Sequence, residues 1–173
     1  MKKELLALCA TILLGCASAS AQKVEAFGGY RYLNQNSAVG LNGWAAGLEI
    51  GLPKLSHVAI AADFGGTYDT QKIGTSRQTL HEFTYMAGPR VNQKVGRFRL
   101  FEHALFGVAQ LRARAEGQSA SDSDFAFAAG GGADMNISKH LAIRPAQVDY
   151  LLTRFAKQNQ QNFRYSTGVV VKF

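Results

Sequence analysis

Four histidines are the residues best suited to proton transfer or metal binding in this chain: His57, His81, His103 and His140. Their spacing matches no metal-ligand pattern. His81 has Thr79 and Glu82 beside it in "TLHEF", a hydroxyl, an imidazole and a carboxylate, which is the raw material of an activated nucleophile. Asp122 and Asp124 in "SDSD" look like part of a cation loop, but the glycine and distal glutamate of a calcium loop are missing. "GGG" at 130–132 opens no helix and has no phosphate-loop pattern. The charged residues make a stronger pattern than any of these. Glu25, Arg31, Glu49, Asp63, Glu82, Arg90, Glu102, Arg112, Asp134, Arg144, Asp149, Arg164 and Lys172 recur on one parity of successive alternating segments. They comprise seven acids and six bases, near enough to balance to form an ion-paired network.

The elements that carry them are strands. Period-two alternation runs through the chain beyond residue 21. Trp44, Ala46, Leu48, Ile50 and Leu52 oppose Ala45, Gly47, Glu49 and Gly51; Phe83, Tyr85, Ala87, Pro89 and Val91 oppose Glu82, Thr84, Gly88 and Arg90. In the fifth segment Phe101, Leu105 and Leu111 are set opposite Glu102, Phe106, Gln110 and Arg112. Around Pro145 the seventh changes phase, which predicts a bulge. The result is eight strands of about ten residues. "NQNSAVGL", "DTQKIGTSRQ", "AEGQSASDSD" and "RFAKQNQQN" read as longer polar loops, alternating with the shorter "PKLSH", "NQKVGRF" and "NISKH". That rhythm predicts an up-and-down meander.

The amino terminus reads as a secretory signal peptide. Met1-Lys2-Lys3 is followed by an apolar run from Leu5 to Leu14 and by Ala19-Ser20-Ala21. The run is shorter than the ~20 residues of a transmembrane helix. Cleavage is expected after Ala21, giving a signal peptide at 1–21 and one domain at 22–173. The alternative is acylation at Cys16, in the lipobox-like "LLGC". Both cysteines, Cys9 and Cys16, precede Ala21, so the mature domain has no disulfide or thiol site. The formal charge of +7 loses two with Lys2 and Lys3 and regains one with Glu4, leaving +6. Lys54, Lys94, Arg97, Arg99 and Lys139 in the short turns carry most of that excess. It fits anchoring to an anionic leaflet, or simply solvated turn residues, and not nucleic-acid binding.

Two barrels fit eight alternating strands: a soluble lipocalin-like one with an apolar interior, and a membrane barrel with its apolar face to lipid. The charged parity is filled in with Gly, Ala, Ser and Thr, suited to a narrow interior and unlike a water-facing surface. Tyr30, Tyr32, Trp44, Tyr68, Phe101, Phe163 and Phe173 fall near strand ends, where aromatic girdles sit. The expected fold is therefore all-β, an eight-stranded antiparallel up-and-down transmembrane β-barrel.

"VEAFGGYRYL" at 24–33, "HALFGVA" at 103–109, "FAFAAGGGADMNIS" at 125–138, "IRPAQVDYLLTRF" at 143–155 and the closing "FRYSTGVVVKF" resemble the small bacterial outer-membrane β-barrel proteins, the OmpA-like transmembrane-domain class. The resemblance implies location in the outer membrane of a Gram-negative bacterium. It also implies an assembly signal read by the barrel-assembly machinery, which falls on Tyr165, Thr167, Val169, Val171 and Phe173. The chain stops at Phe173 and is expected to lack the peptidoglycan-binding domain of larger relatives. Members share a barrel and differ in task. The expectation is a charged, side-chain-filled interior, a structural or surface-interaction role, no enzymatic activity and no cofactor. Its expected partners are outer-membrane lipid and lipopolysaccharide, met by Arg77, Arg114, Arg154 and Lys157, with the barrel a monomer. A narrow porin-like channel is the alternative. A lipid A-modifying enzyme is a further one, but His81 lacks the His-x-Ser pairing of the lipid A deacylases.

Overall fold

The computed structural model describes residues 23–35, 39–73, 76–115, 118–155 and 158–173. They form eight strands: β1 (Val24–Gln35), β2 (Val39–Leu52), β3 (Leu55–Ile73), β4 (Ser76–Val95), β5 (Phe98–Ala115), β6 (Gln118–Asn136), β7 (Leu141–Phe155) and β8 (Gln158–Lys172). Each pairs antiparallel with its sequence neighbour, and β1 pairs with β8 from Glu25↔Lys172 to Gln35↔Asn162, closing the barrel. Closure pairs the backbone polar groups with one another, as a lipid surround requires. The signal-peptide and lipobox readings fall on residues outside those described.

The strands are longer than expected, 18 to 20 residues in β3 to β6. A tilted strand crosses the hydrocarbon core in about 9–11 residues. The surplus projects outward as hairpins built from segments the polar composition had marked as loops. "DTQKIGTSRQ" and "AEGQSASDSD" are mostly strand, with pairing to Ile73↔Ser76 and Ala115↔Gln118. Beyond the lipid both faces can be polar while the ladder continues, so composition there does not distinguish strand from loop. Asp122 and Asp124 accordingly lie in β6, not in a cation loop.

The inner end carries tight turns. Val95 pairs with Phe98 across Gly96-Arg97, and Gly96 has φ +60°. A two-residue hairpin turn of the primed class needs that left-handed backbone, which glycine adopts without a Cβ penalty. In β7 the register with β8 shifts between Arg144 and Gln147, a bulge at Pro145-Ala146. Inward positions change there from even (Ala142, Arg144) to odd (Gln147, Asp149, Leu151). Proline has no N–H for the ladder, so the predicted phase change falls where the sequence places it.

The outer wall is apolar. Leu48, Ile60, Tyr85, Val108, Phe125, Val148 and Val169 are exposed around it. Tyr30, Tyr32, Trp44, Tyr68, Phe163 and Phe173 are also exposed. Trp44 Nε1 donates to Tyr68 Oη at 3.0 Å, and Tyr30 bonds Asn42. Amphipathic rings of this kind suit the membrane interface.

β5 faces the other way from the expectation. Phe101, Leu105 and Ala109 point into the barrel, while Glu102, Phe106, Val108 and Arg112 are on its outside. Phe101 is 3% exposed and Phe106 51%. Glu102 and Arg112 are therefore not interior charges, and Phe101 is not a girdle residue. Large apolar side chains occupy both parities of β5, so alternation alone does not choose between them. The choice follows from Arg99 and His103, which find buried acids when they point inward.

Candidate functional site

Charged side chains converge in the barrel interior. Asp134, fully buried on β6, accepts from Arg144 at 2.6 and 3.1 Å, Arg99 at 2.7 Å and Arg90 at 3.3 Å. Arg99 also makes a two-pronged pair with Glu25. Glu49 meets Arg90 at 3.2 Å and takes a hydrogen bond from Asn92 at 2.6 Å. This cluster lies toward the inner end. The pair between Arg99 on β5 and Glu25 on β1 crosses the lumen between strands four apart in an eight-strand ring.

A second cluster lies deeper. Asp63 on β3 holds Arg31 at 2.7 Å and Arg164 at 3.0 Å. Arg164 also binds Asp149 at 2.7 Å. Asp149 in turn contacts His103 Nε2 at 2.8 Å and accepts from Gln147 at 2.9 Å. Arg31 reaches further to Ser166 at 3.2 Å and Thr84 at 3.4 Å. Gln147 links the two clusters, since its Oε1 accepts from Arg144 at 2.8 Å. Five arginines thus meet five carboxylates. A buried charge is tolerated only when paired and hydrogen-bonded, and each of the ten has at least one ionic partner.

Aromatic rings fill the gaps between charges. The guanidinium of Arg90 lies 3.5 Å from the Phe101 ring centroid and that of Arg144 4.4 Å from it; Arg144 also lies 4.3 Å from Phe27. These are cation–π distances in a desolvated setting. Glycine makes the room. A Cβ on Gly132 would come within 2.7 Å of Phe101 Cζ, and one on Gly65 within 1.9 Å of Arg31 Nη1. The glycines on the inward parity are the space into which the large side chains extend. Toward the outer end, Leu33, Leu41, Leu105, Ala109, Ala126, Ala128 and Leu151 form an apolar layer. A pocket beside Glu25, Asp63, Arg90, His103 and Arg144 has about 20 Å³, about the room one water needs.

Of the thirteen charges expected inside, Glu25, Arg31, Glu49, Asp63, Glu82, Arg90, Asp134, Arg144, Asp149 and Arg164 are buried. Lys172 is half-buried on the inward parity of β8 and donates to Asn136. Glu102 and Arg112 are excluded, as described above. Arg99, His103, Asn92 and Gln147 belong to the network and had not been assigned to it. Sequence alone puts Arg99 in a turn that meets the leaflet. Its signal was present, because it stands two and four residues before Phe101 and His103 on one parity.

His81, the candidate base, packs on the outer wall, with its ring 4.9 Å from Tyr68 and 6.4 Å from Phe83. Thr79 lies outside the residues whose side chains are described, and Glu82 points inward from the other parity. Among the described residues, no three His, Cys, Asp or Glu side chains are grouped to hold a metal ion. Of the bases expected to meet lipopolysaccharide, Arg154 is exposed; the side chains of Arg77, Arg114 and Lys157 lie outside the description. On β8, Tyr165, Val169, Val171 and Phe173 face outward, with Tyr165 Oη donating to the Pro145 carbonyl at 2.7 Å.

Known proteins share this architecture. The attachment invasion locus protein Ail of Yersinia pestis, solved with the heparin analogue sucrose octasulfate, superposes with a TM-score of 0.61 at 14% identity, over 88% of this chain and 97% of that one. Neisserial surface protein A gives 0.63 at 13% identity over the same shares. OprG of Pseudomonas aeruginosa, an outer-membrane protein, gives 0.50 at 9%, over 88% of this chain and 96% of its own. At these identities the likeness is one of fold. A comparison with curated proteins finds no match. Residues 7–173 match the family described as "Outer membrane protein beta-barrel domain". This closed eight-stranded barrel, apolar without and charged within, belongs to that family and resides in the bacterial outer membrane.

Proposed function

We propose that the barrel is closed to solutes and works at its surface, as a structural or surface-interaction protein of the outer membrane. The observation that carries this is the chord of ion pairs across the lumen, Arg31–Asp63–Arg164–Asp149 and Arg99–Glu25. A conducting path requires those pairs to separate, and unpairing a buried charge costs about 3–5 kcal/mol. Single-channel recording in planar bilayers tests the reading: the purified barrel is expected to give no reproducible open state, and a stable conductance overturns it.

Several finer points belong to the same proposal. The mature domain begins at Gln22, after cleavage behind Ala21. The alternation of Tyr165, Thr167, Val169, Val171 and Phe173 is the address read by the barrel-assembly machinery, and the folded barrel is a monomer. Arg112 and Arg154, exposed on the outside of the wall, are placed to meet anionic groups such as lipopolysaccharide phosphates. The protein is not an enzyme: the ring contacts of His81 make it part of the aromatic belt. Changing His81 to Ala is expected to leave the lipid A of the host membrane unaltered by mass spectrometry, and a change in acylation would refute this.

A further inference from the structure

The inner end of the barrel holds a second, larger space. Below the ion-pair plug lies an open cup of about 730 Å³, within the range of small-molecule sites. Its lining includes Lys23, Lys94, Arg99, Lys139 and Lys172, with Glu25 and Glu49 as its acids. Both acids are already engaged, Glu25 by Arg99 and Glu49 by Arg90 and Asn92. The excess charge is therefore that of the lysines: Lys172 feels the attraction of Glu25 and donates to Asn136, while Lys23, Lys94 and Lys139 have no salt bridge among the described residues. His57 and Asn136 add polar groups to the wall.

Three of these lysines are not arranged for the leaflet. Lys23, Lys94 and Lys172 continue the inward parities of Glu25 on β1, Arg90 and Asn92 on β4, and Val170 on β8. The barrel wall stands between them and the lipid. Like charges converging in a concave, protein-walled space focus their field on its mouth. Lysine ammonium groups are compact point charges that bind phosphate, while the planar forks that suit carboxylates are spent on the plug.

We infer that this cup is a binding site for a compact, soluble polyanion of the oligophosphate class, entering from the periplasmic side, where short turns of such barrels lie. The site sits below the plug and does not depend on whether the barrel conducts. The test is calorimetric titration of sodium tripolyphosphate into the full protein, purified from outer membranes into nanodiscs of zwitterionic lipid. One saturable site per barrel is expected, weakening as salt is raised. The double variant Lys94→Gln/Lys139→Gln changes two exposed side chains; it is expected to keep the heat-modifiable gel shift and to bind at least tenfold more weakly. Lys54→Gln, a turn base outside the cup, is expected to bind as the parent does. The absence of saturable binding overturns the inference, as does an equal loss in Lys54→Gln. Loss of binding when phosphatidylglycerol is added to the nanodisc also overturns it, because the lysines then serve the lipid.

Discussion

Individual charges in this barrel differ in worth according to the wall they stand on. Asp134 compensates three arginines at once. Asp134→Ala leaves them buried with less countercharge, and we expect a loss of about 3–5 kcal/mol, read from urea unfolding in detergent by tryptophan fluorescence, for which Trp44 is the single reporter. Glu102 is the contrast. It stands among Leu100, Ala104 and Phe106 on the outer side of β5, where a carboxylate toward lipid costs free energy. Glu102→Leu is expected to leave stability unchanged or raise it. If Glu102→Leu instead destabilises as Asp134→Ala does, the facing of β5 is wrong. "RLFEHALFGVAQLRAR" has apolar bulk on both parities. Only the positions of Glu25, Asp134 and Asp149 on other strands show why Arg99 and His103 turn inward.

At the scale of elements, the turns and the last strand carry separable information. Gly96 is the residue with a left-handed φ among those described, and no neighbouring atom blocks a Cβ there. Gly96→Ala therefore reports backbone strain alone, and we expect it to cost about 1–2 kcal/mol in the same unfolding assay. β8 combines an inward half of the plug, Arg164 and Ser166, with an outward row ending at Phe173. Deleting Phe173 removes an exposed ring and one backbone hydrogen bond to Val24, but no plug contact. The expected outcome is a lower amount of folded barrel in outer-membrane fractions, with the midpoint of refolded protein nearly unchanged. An unchanged cellular amount would show that the terminal ring is not part of the assembly address. Strand existence, order and the Pro145 bulge were readable because alternation and proline chemistry are local. Strand length was not, since a hairpin outside the membrane sets no constraint on which face is polar.

For the whole molecule, closure and plugging act together. The β1–β8 seam runs eleven paired residues from Glu25 to Gln35, and the plug ties β1, β3, β5, β6, β7 and β8 to one another through side chains. Such a structure should unfold cooperatively and resist detergent. On unheated gels it is expected to run as a compact species, shifting on boiling. The double variant Arg31→Ala/Arg164→Ala removes two side chains that cross the lumen around Asp63. It should lower the temperature of that shift, and any conductance that appears in it alone would show that the plug is what closes the barrel.

A class of object is legible along the chain: alternating strands, an inward parity of small and charged residues, an outward apolar band, and a closing strand able to pair with the first. These follow from the period of two and from the solvent each face meets, both of which are written along the chain. The tertiary structure decided which charges meet. Ion pairing between strands that are far apart in sequence depends on shear, register and the volume left by Gly65 and Gly132, none of which has a local signature. For the same reason the bases of the inner end, read along the chain as contacts with the leaflet, divide in space. Arg99 joins the plug, while Lys94 and Lys139 line the cup beneath it.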